Sequence, residues 1–441
     1  MVHHTMAMPT AKATSASMKN HVMAQPFRGV PTPAAAPLAF AAWWVSCLLL
    51  TSCQTVPAPP SVAPAPITAP APAPAVAAVT RPVFTRSGWS DLPGWNSDSQ
   101  EAVWPAFRIG CRALLADPKT ALLWQQPCVE SEHIDAASNL SVRAFFESHF
   151  IPYRVAAGDG NDVGRVTGYY EPLLKGSRER TAEFAVPLYS PPDDLLTVDL
   201  ADLYPELKDK RVRGRVEGRR VVPYWTRADI EHGATPIPSN ALVYVADPVE
   251  AFYFEIQGSG RIELANGSVL RLGYADQNGH PYRSIARVLI ERGDLPRERA
   301  SLGGISAWAK AHPEQTRALL DENPSYVFFR EVPAPLPGSP EARIDGPIGT
   351  LGVPLLAERT IAIDPRAIPL GAPVFLATTL PLSKAPLERL VMAQDTGGAI
   401  GGAVRADYFW GFGPQAGREA GRMLQDGRMW LLWPKGADPN S

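Results

Sequence analysis

The sequence predicts a mainly β protein whose first folded segment is helical and whose head, residues 1–86, is not globular. Three observations lead there. The charges are unevenly placed: 42 Lys and Arg almost balance 44 Asp and Glu in a chain of 441 residues with net charge −2, yet no acid precedes Asp91. Residues 87–149 repeat apolar side chains at intervals of three and four, the period of a helix with one buried face. After Ile151 the texture changes to short alternating or apolar runs broken by turn residues, the pattern of strands. At about 150 residues per domain, the length allows two to three domains, and 45% hydrophobic residues can fill a sizeable core. The near-neutral balance argues against a nucleic-acid binder, which would carry a clearly basic domain or stripe.

Within the head, residues 1–28 are polar and weakly basic, with Lys12, Lys19 and Arg28. The apolar run Ala34–Leu50 follows, interrupted by Pro37 and Ser46; at about 17 residues it falls short of the ~20 that a spanning helix needs. Basic region, apolar stretch, small residues and a cysteine form the layout of an export signal. Leu50-Thr51-Ser52-Cys53 also resembles the bacterial lipobox, whose cysteine is acylated and becomes the new N-terminus. We therefore expect a signal at residues 1–52, cleaved before Cys53, and an acylated Cys53 as the membrane anchor. A transmembrane anchor with an incidental cysteine is the alternative. One acyl chain holds only marginally, so a stable anchor carries about two or more. Gln54 follows Cys53, and no Asp is there to signal inner-membrane retention, so the expected location is the outer membrane, facing the periplasm. Residues 53–86 are the tether. Its alternating Pro/Ala tract, 56–79, favours extended polyproline II, which at about 3.1 Å per residue reaches some 60–70 Å.

In the body, Trp104, Phe107, Ile109, Cys111, Leu114 and Leu115 mark one helix, and Val142, Phe145, Phe146 and His149 share a face of another. Cys111 and Cys128 are the cysteines outside the signal, and an oxidising compartment permits their bridge. Spacing alone leaves two buried thiols as the alternative; we expect the bridge, worth about 3 kcal/mol in the chain-entropy model. Strands follow at Tyr153–Val155 and Gly164–Pro172. From about 186 to 323 the signals are mixed. Ala241–Val245 and Ala251–Gln257 read as strands, while Arg283–Ile290 and the stretch from Ile305 read as helices. Strands return at Thr360–Ile363, Pro373–Ala377 and Met429–Trp433.

The chemistry narrows by elimination. His133, His149, His232, His280 and His312 show no HExxH or other metal spacing, and each reads as structural before it reads as a ligand. No GxSxG elbow, P-loop or dinucleotide fingerprint occurs. What remains is carboxylates set in glycine. Asp395 and Asp407 bracket Gly397, Gly398, Gly401 and Gly402, residues that allow positive φ and the close approach of a polymer. Tyr408, Phe409 and Trp410 follow Asp407 and could desolvate it, which raises a carboxyl pKa and suits a general acid, with Arg405 as a counter-charge. The bland alternative makes both aspartates turn residues capping a hairpin. Asp364 ends the run Ile361–Ile363 and precedes Pro365, a strand end where functional groups often sit; an Asx turn is its alternative. Tyr169-Tyr170-Glu171, Tyr224–Arg227 and Phe252–Gly260 gather aromatics with polar groups, a combination suited to sugar rings.

Together, Gly168–Pro172, Ile256–Gly260, Gly346–Gly352, Ile363–Pro365 and Asp395–Ile400 through Asp407 resemble the membrane-bound lytic murein transglycosylase A family, over about residues 90–435. The resemblance implies a double-psi β-barrel with an inserted second β-rich domain, plus the N-terminal helices. The barrel would use 87–185 and then 335–435 (a three-aspartate module), and the glycan-binding insertion would be 186–334. The implied reaction is cleavage of the β-1,4 bond between N-acetylmuramic acid and N-acetylglucosamine, closed by the muramic 6-hydroxyl to give 1,6-anhydro ends. Carried over by motif, Asp407 is the catalytic residue, Asp395 assists and Asp364 supports. Tyr169, Tyr170, Glu171, Gln257, Ser259 and Gly260 would contact glycan, with Gly397 and Gly398 leaving it room. No cofactor and no metal is implied. The partners are peptidoglycan strands and, through the lipid anchor, the membrane, with cell-wall synthesis or division proteins as candidates. Gly401 departs from the family pattern, where a lysine is expected. A catalytically inactive wall-binding lipoprotein and a two-carboxylate glycoside hydrolase using Asp395 and Asp407 remain the competing functions.

Overall fold

The helical spacing of the early body becomes α1 (Trp104–Ala116), α2 (Ala121–Glu130) and α3 (Asn139–His149) in a computed structural model that describes residues 81–204, 212–233 and 241–440. Pro105 opens α1 where its missing N–H has no bond to lose, and the Ser138 hydroxyl caps α3 by accepting from Ser141 N–H. The apolar stripes meet as Trp104, Phe107, Phe145 and Phe146, with Trp104 edge-on to Phe145 at 4.9 Å between centroids. Cys111 and Cys128 are bonded, tying α1 to α2. The signal, Cys53 and the Pro/Ala tract lie outside the described residues. Among those described, no helix is long and apolar enough to cross a membrane.

Most described secondary structure is β, and all of it lies within Ala73–Ser441, one compact unit. The strands β1 (Val83–Arg86), β2 (Phe150–Ala156) and β3 (Gly164–Glu171) join five from the C-terminal hundred residues in the first sheet. Between them run β4 (Leu173–Ser177), β5 (Val186–Tyr189), β6 (Leu196–Thr197), β7 (Arg213–Glu217), β8 (Arg220–Pro223), β9 (Ala241–Val245), β10 (Ser259–Leu264), β11 (Val269–Gln277) and β12 (Val327–Glu331). The C-terminal strands are β13 (Thr360–Ile363), β14 (Pro373–Thr379), β15 (Pro386–Thr396), β16 (Arg405–Phe412) and β17 (Leu424–Pro434). The first sheet closes: the order β17-β14-β15-β13-β16-β3 returns to β17 through a direct β17–β3 pairing, with β2 and β1 attached outside. This six-strand barrel is filled by Val166, Ile361, Ile363, Val374, Val391, Tyr408 and Leu431.

The second sheet, β12-β11-β10-β4-β9-β5, carries α5 (Pro248–Gln257), α6 (Ile285–Arg292), α7 (Leu302–Ala311) and α8 (Pro313–Asp321), after the short α4 (Arg227–Glu231); β6-β7-β8 form a small third sheet. One expectation is overturned here. Residues 251–257 are not a strand but the body of α5. Asp247 caps that helix by accepting from Val249 and Glu250 N–H, Pro248 holds its first position, and Gly258 ends it at φ 73°. The buried positions Val249, Ala251, Phe252, Phe254 and Glu255 form a helical stripe, so end signals and packing outweigh the β preference of Phe-Tyr-Phe.

The chain leaves the barrel at Glu171 and returns past Asp345, and one guanidinium holds both crossings. Arg261 on β10 donates to Glu171 (2.9 Å) and to both oxygens of Asp345 (3.1 and 2.7 Å), and lies 4.0 Å over the Phe412 ring. Glu171 is 1% exposed, while the Asp345 side chain is 69% exposed. Removing one partner of a buried pair strands the other, whereas an exposed partner contributes little. Glu171→Ala is expected to lower unfolding free energy by about 3 kcal/mol, and Asp345→Ala by less than ~1 kcal/mol. Urea midpoints of the two variants check this ordering.

Candidate active site

Strand alternation decides which side chains meet. On β16, Ala406 and Tyr408 point into the barrel core, so Arg405, Asp407 and Phe409 take the other face. On β3, Val166 enters the core and Arg165, Thr167 and Tyr169 face outward with them. The two strands run parallel in a register that pairs Arg405 with Arg165, Asp407 with Thr167 and Phe409 with Tyr169. On the other side of β16, Ala362 of β13 is the partner of Asp407 and also, across its other edge, of Asp395 on β15. Two strand spacings therefore separate the aspartate backbones, about 10 Å. They are not the two ends of a hairpin, since β13 lies between their strands.

Asp407 is half-buried. Its Oδ1 accepts from the Thr167 hydroxyl at 2.6 Å, and Thr167 Oγ1 accepts in turn from Arg405 Nη2 at 2.8 Å. Desolvation raises the Asp407 pKa, with Asp395 adding to the rise while Thr167 and Arg405 oppose it. Asp395 also has a raised pKa, from desolvation first, despite accepting from Thr350 N–H and Thr350 Oγ1 (both 3.0 Å) and Tyr169 OH (3.1 Å). Tyr169 stands between the two carboxyls; burial and then the charges of Asp395 and Asp407 push its phenol well above the ordinary tyrosine value. Its ring packs on Phe409 at 5.1 Å between centroids. The expected flank of Tyr408, Phe409 and Trp410 is thus corrected. Tyr408 turns into the core and donates to Glu358 O, and Trp410 Nε1 donates to Met423 Sδ, leaving Phe409 with Tyr169 on the carboxylate side.

Asp364 follows β13 and is 1% exposed. It accepts from Arg366 N–H, Nε and Nη2 (3.0, 2.9 and 2.9 Å) and from Gly402 N–H (2.9 Å). Burial would raise its pKa, but the Arg366 guanidinium and these amides win and hold it below the usual range. Asp364 thus makes the Asx-type turn and also pins the glycine loop between Asp395 and Asp407. Of the four glycines there, Gly402 adopts positive φ, at 114°; Gly397, Gly398 and Gly401 do not use that freedom. A Cβ on Gly398 would meet nothing, so that part of the loop is open.

The proposed sugar contacts divide. Tyr169 joins the aspartates. Tyr170, on the opposite face of β3, packs on Gly417 of α9 (Gly413–Ala420), and its N–H donates to Gln257 Oε1 at 3.0 Å. Gln257 therefore joins the second sheet's helix to the barrel. Glu171 is corrected to the buried partner of Arg261. Ser259 is half-buried at the start of β10; Gly260 is buried, where a Cβ would lie 2.1 Å from the Phe254 ring. Thr167 and Thr350 escaped sequence reading. Both sit within or beside the motifs, but a neutral threonine carries no charge pattern, and position alone marks them. A concavity of about 380 Å³ bordered by Arg165, Arg405, Gly401 and Gly402 adjoins the Asp407 row. A larger one, about 430 Å³, lies between Arg271, Leu336 and Pro354 and touches none of the three aspartates. Among the described residues no cluster of three or more His, Cys, Asp or Glu could hold a metal.

Two family models match the chain: the MltA specific insert domain over residues 165–330, and the 3D domain over 359–433. The membrane-bound lytic murein transglycosylase A of Escherichia coli (strain K12) is 34% identical over 288 residues, covering 64% of this chain and 68% of the relative. The crystal structure of MltA from Neisseria gonorrhoeae, monoclinic form, matches with TM-score 0.70 and 39% identity over 81% of this chain and 94% of that one. The crystal structure of E. coli MltA with bound chitohexaose matches with TM-score 0.56 and 26% identity, over 80% and 91% respectively.

Asp364 supplies a pH signature. Its native pKa is depressed, so its contribution to stability is full above the ordinary aspartate value and is lost as pH falls through the native one. The loss of unfolding free energy between pH 6 and pH 3 is expected to be smaller in Asp364→Asn than in the unmodified protein, measured by urea titration at each pH.

Proposed function

Because this chain belongs to the membrane-bound lytic murein transglycosylase A family, we propose that it cleaves peptidoglycan with Asp407 as its single acid and base. The observation that carries this is a half-buried carboxyl with a raised pKa, on an open strand face beside aromatic rings. Protonated Asp407 gives its proton to the glycosidic oxygen as the bond from muramic C1 to that oxygen breaks. The resulting carboxylate takes the proton of the muramic 6-hydroxyl as O6 bonds to C1. The product end is a 1,6-anhydro sugar, Asp407 is protonated again, and no water is consumed.

Asp395 assists rather than attacks. Three donors occupy its oxygens, one of them Tyr169, which disfavours a two-carboxylate mechanism with a free nucleophile. Tyr169, half-buried against the buried Phe409 ring, offers the ring on which a sugar can stack, and Gly397 and Gly398 leave room for the strand. The six-strand ring contains two parallel pairs, β13 with β15 and β3 with β16, among antiparallel neighbours; this supports reading it as a double-psi barrel. Residues 186–334, with β4 ahead of them, are the inserted glycan-binding part, and the groove between the sheets is where a glycan strand lies. The bound chitohexaose of the E. coli structure supports glycan as the ligand class. Acylation at Cys53 and the Pro/Ala tether hold the enzyme on the outer membrane from the periplasmic side, within reach of the wall and of cell-wall synthesis or division proteins.

Purified protein incubated with peptidoglycan is expected to release 1,6-anhydromuramoyl ends by mass spectrometry, and Asp407→Asn to lose them by at least ~100-fold. Reducing muramic ends would make it a hydrolase; binding without turnover would make it a scaffold. Burial keeps Asp407 protonated to higher pH than a solvent-exposed aspartate, so kcat is expected to fall only as pH rises through that elevated value.

A further inference from the structure

We propose that Thr167 is a positioning residue that, held by Arg405, keeps the transferable proton of Asp407 on Oδ2. This inference rests on the acid and base role of Asp407 given above.

The direction of the hydrogen bonds makes the case. A guanidinium has donors and no acceptor, so the contact between Arg405 Nη2 and Thr167 Oγ1, 2.8 Å, has Thr167 accepting. The hydroxyl has one proton left, and among the described residues its acceptor is Asp407 Oδ1, at 2.6 Å. Oδ1 is therefore committed as an acceptor in both protonation states of the carboxyl. Oδ2 accepts nothing from the described residues, and it is not among the buried atoms left without a partner, so it is open to a ligand. The acidic proton belongs on that open oxygen. A proton free to choose between the two oxygens would sit part of the time on the one turned toward Thr167, where no glycosidic oxygen can reach it.

Arg405 is itself fixed to do this. Its Nη1 donates to Ala406 O and, at 3.4 Å, to Arg165 O. The pairing Asp407–Thr167 lies two residues on from Arg405–Arg165, on the same face, so the parallel ladder of β3 and β16 sets donor, hydroxyl and carboxyl in one line. The groups that bear on Asp407 are Thr167 and Tyr169 from β3, Arg405 from β16 and Asp395 from β15. Thr167 is the one whose hydroxyl touches it.

The test is the pH dependence of anhydro-sugar release by Thr167→Val and Thr167→Ser. Thr167 bonds to the ionised form and so holds the Asp407 pKa down against burial. Without the hydroxyl, the limb on which kcat falls with rising pH is expected to move up by about one pH unit, and kcat at its optimum to drop about 10- to 100-fold. Thr167→Ser is expected to return both toward the unmodified values, and KM to change little in either variant. Thr167→Ala makes the same comparison should the valine variant fail to fold, as circular dichroism would show. A limb and kcat unchanged in the hydroxyl-free variant, or a loss that serine does not rescue, overturns the proposal. Asp407→Asn separates the two readings: if it still forms anhydro ends, the acid and base assignment fails as well; if it is inactive while the Thr167 variants match the unmodified protein, the positioning role alone fails.

Discussion

The parallel pairing of β3 with β16 is the constraint on which the site depends. Ring closure through β17 and β3 forces these strands, 240 residues apart at Thr167 and Asp407, to lie side by side. Once their register is set, alternation sends Val166, Ala406 and Tyr408 into the barrel and leaves Thr167, Tyr169, Asp407 and Phe409 together on the other face. A slip of one residue would put Asp407 in the apolar core, an arrangement that burial of an unpaired carboxylate would oppose strongly. The hydrophobic filling of the barrel is thus also what aims the carboxyl.

The three aspartates occupy unlike environments. Asp364 has a guanidinium and backbone amides and stays ionised; Asp395 and Asp407 are desolvated with neutral donors and have raised pKa values. The first serves the backbone of the glycine loop through Gly402, while the other two face the open side. The second sheet is fastened to this scaffold at its crossings by Arg261 and at β3 by the Gln257 side chain, which accepts from Tyr170 N–H.

Much of the fold was legible because it is local. The stripes of α1 and α3 appear in the spacing of their aromatics, and β2, β3, β13, β14 and β17 in short apolar or alternating runs, whereas β15 and β16, which carry Asp395 and Asp407, were not read as strands. The stretch 251–257 was misread because its residues favour a strand, while the deciding signals, Asp247-Pro248 before it and Gly258 after it, lie at its ends. The site was legible in part. Asp364, Asp395, Asp407 and Tyr169 stand in conspicuous motifs, whereas Thr167, Thr350 and Arg366 are visible only through what they bond. Glu171 shows the reverse: its motif is conspicuous, and its partner Arg261 lies 90 residues on and buries it.

The sequence by itself determined the periodicity of the elements, the separate composition of the head and the short set of carboxyls among which the chemistry had to lie. Those properties depend on neighbours a few positions away and need no knowledge of where the chain returns. The tertiary structure decided which carboxyl is neutralised by a cation, which faces a hydroxyl and which side chains are spent on joining the sheets. Such choices follow from strand order and ring closure, and they set desolvation and hydrogen bonding between residues far apart in the chain. A carboxyl's chemistry is fixed by that surrounding, not by its type.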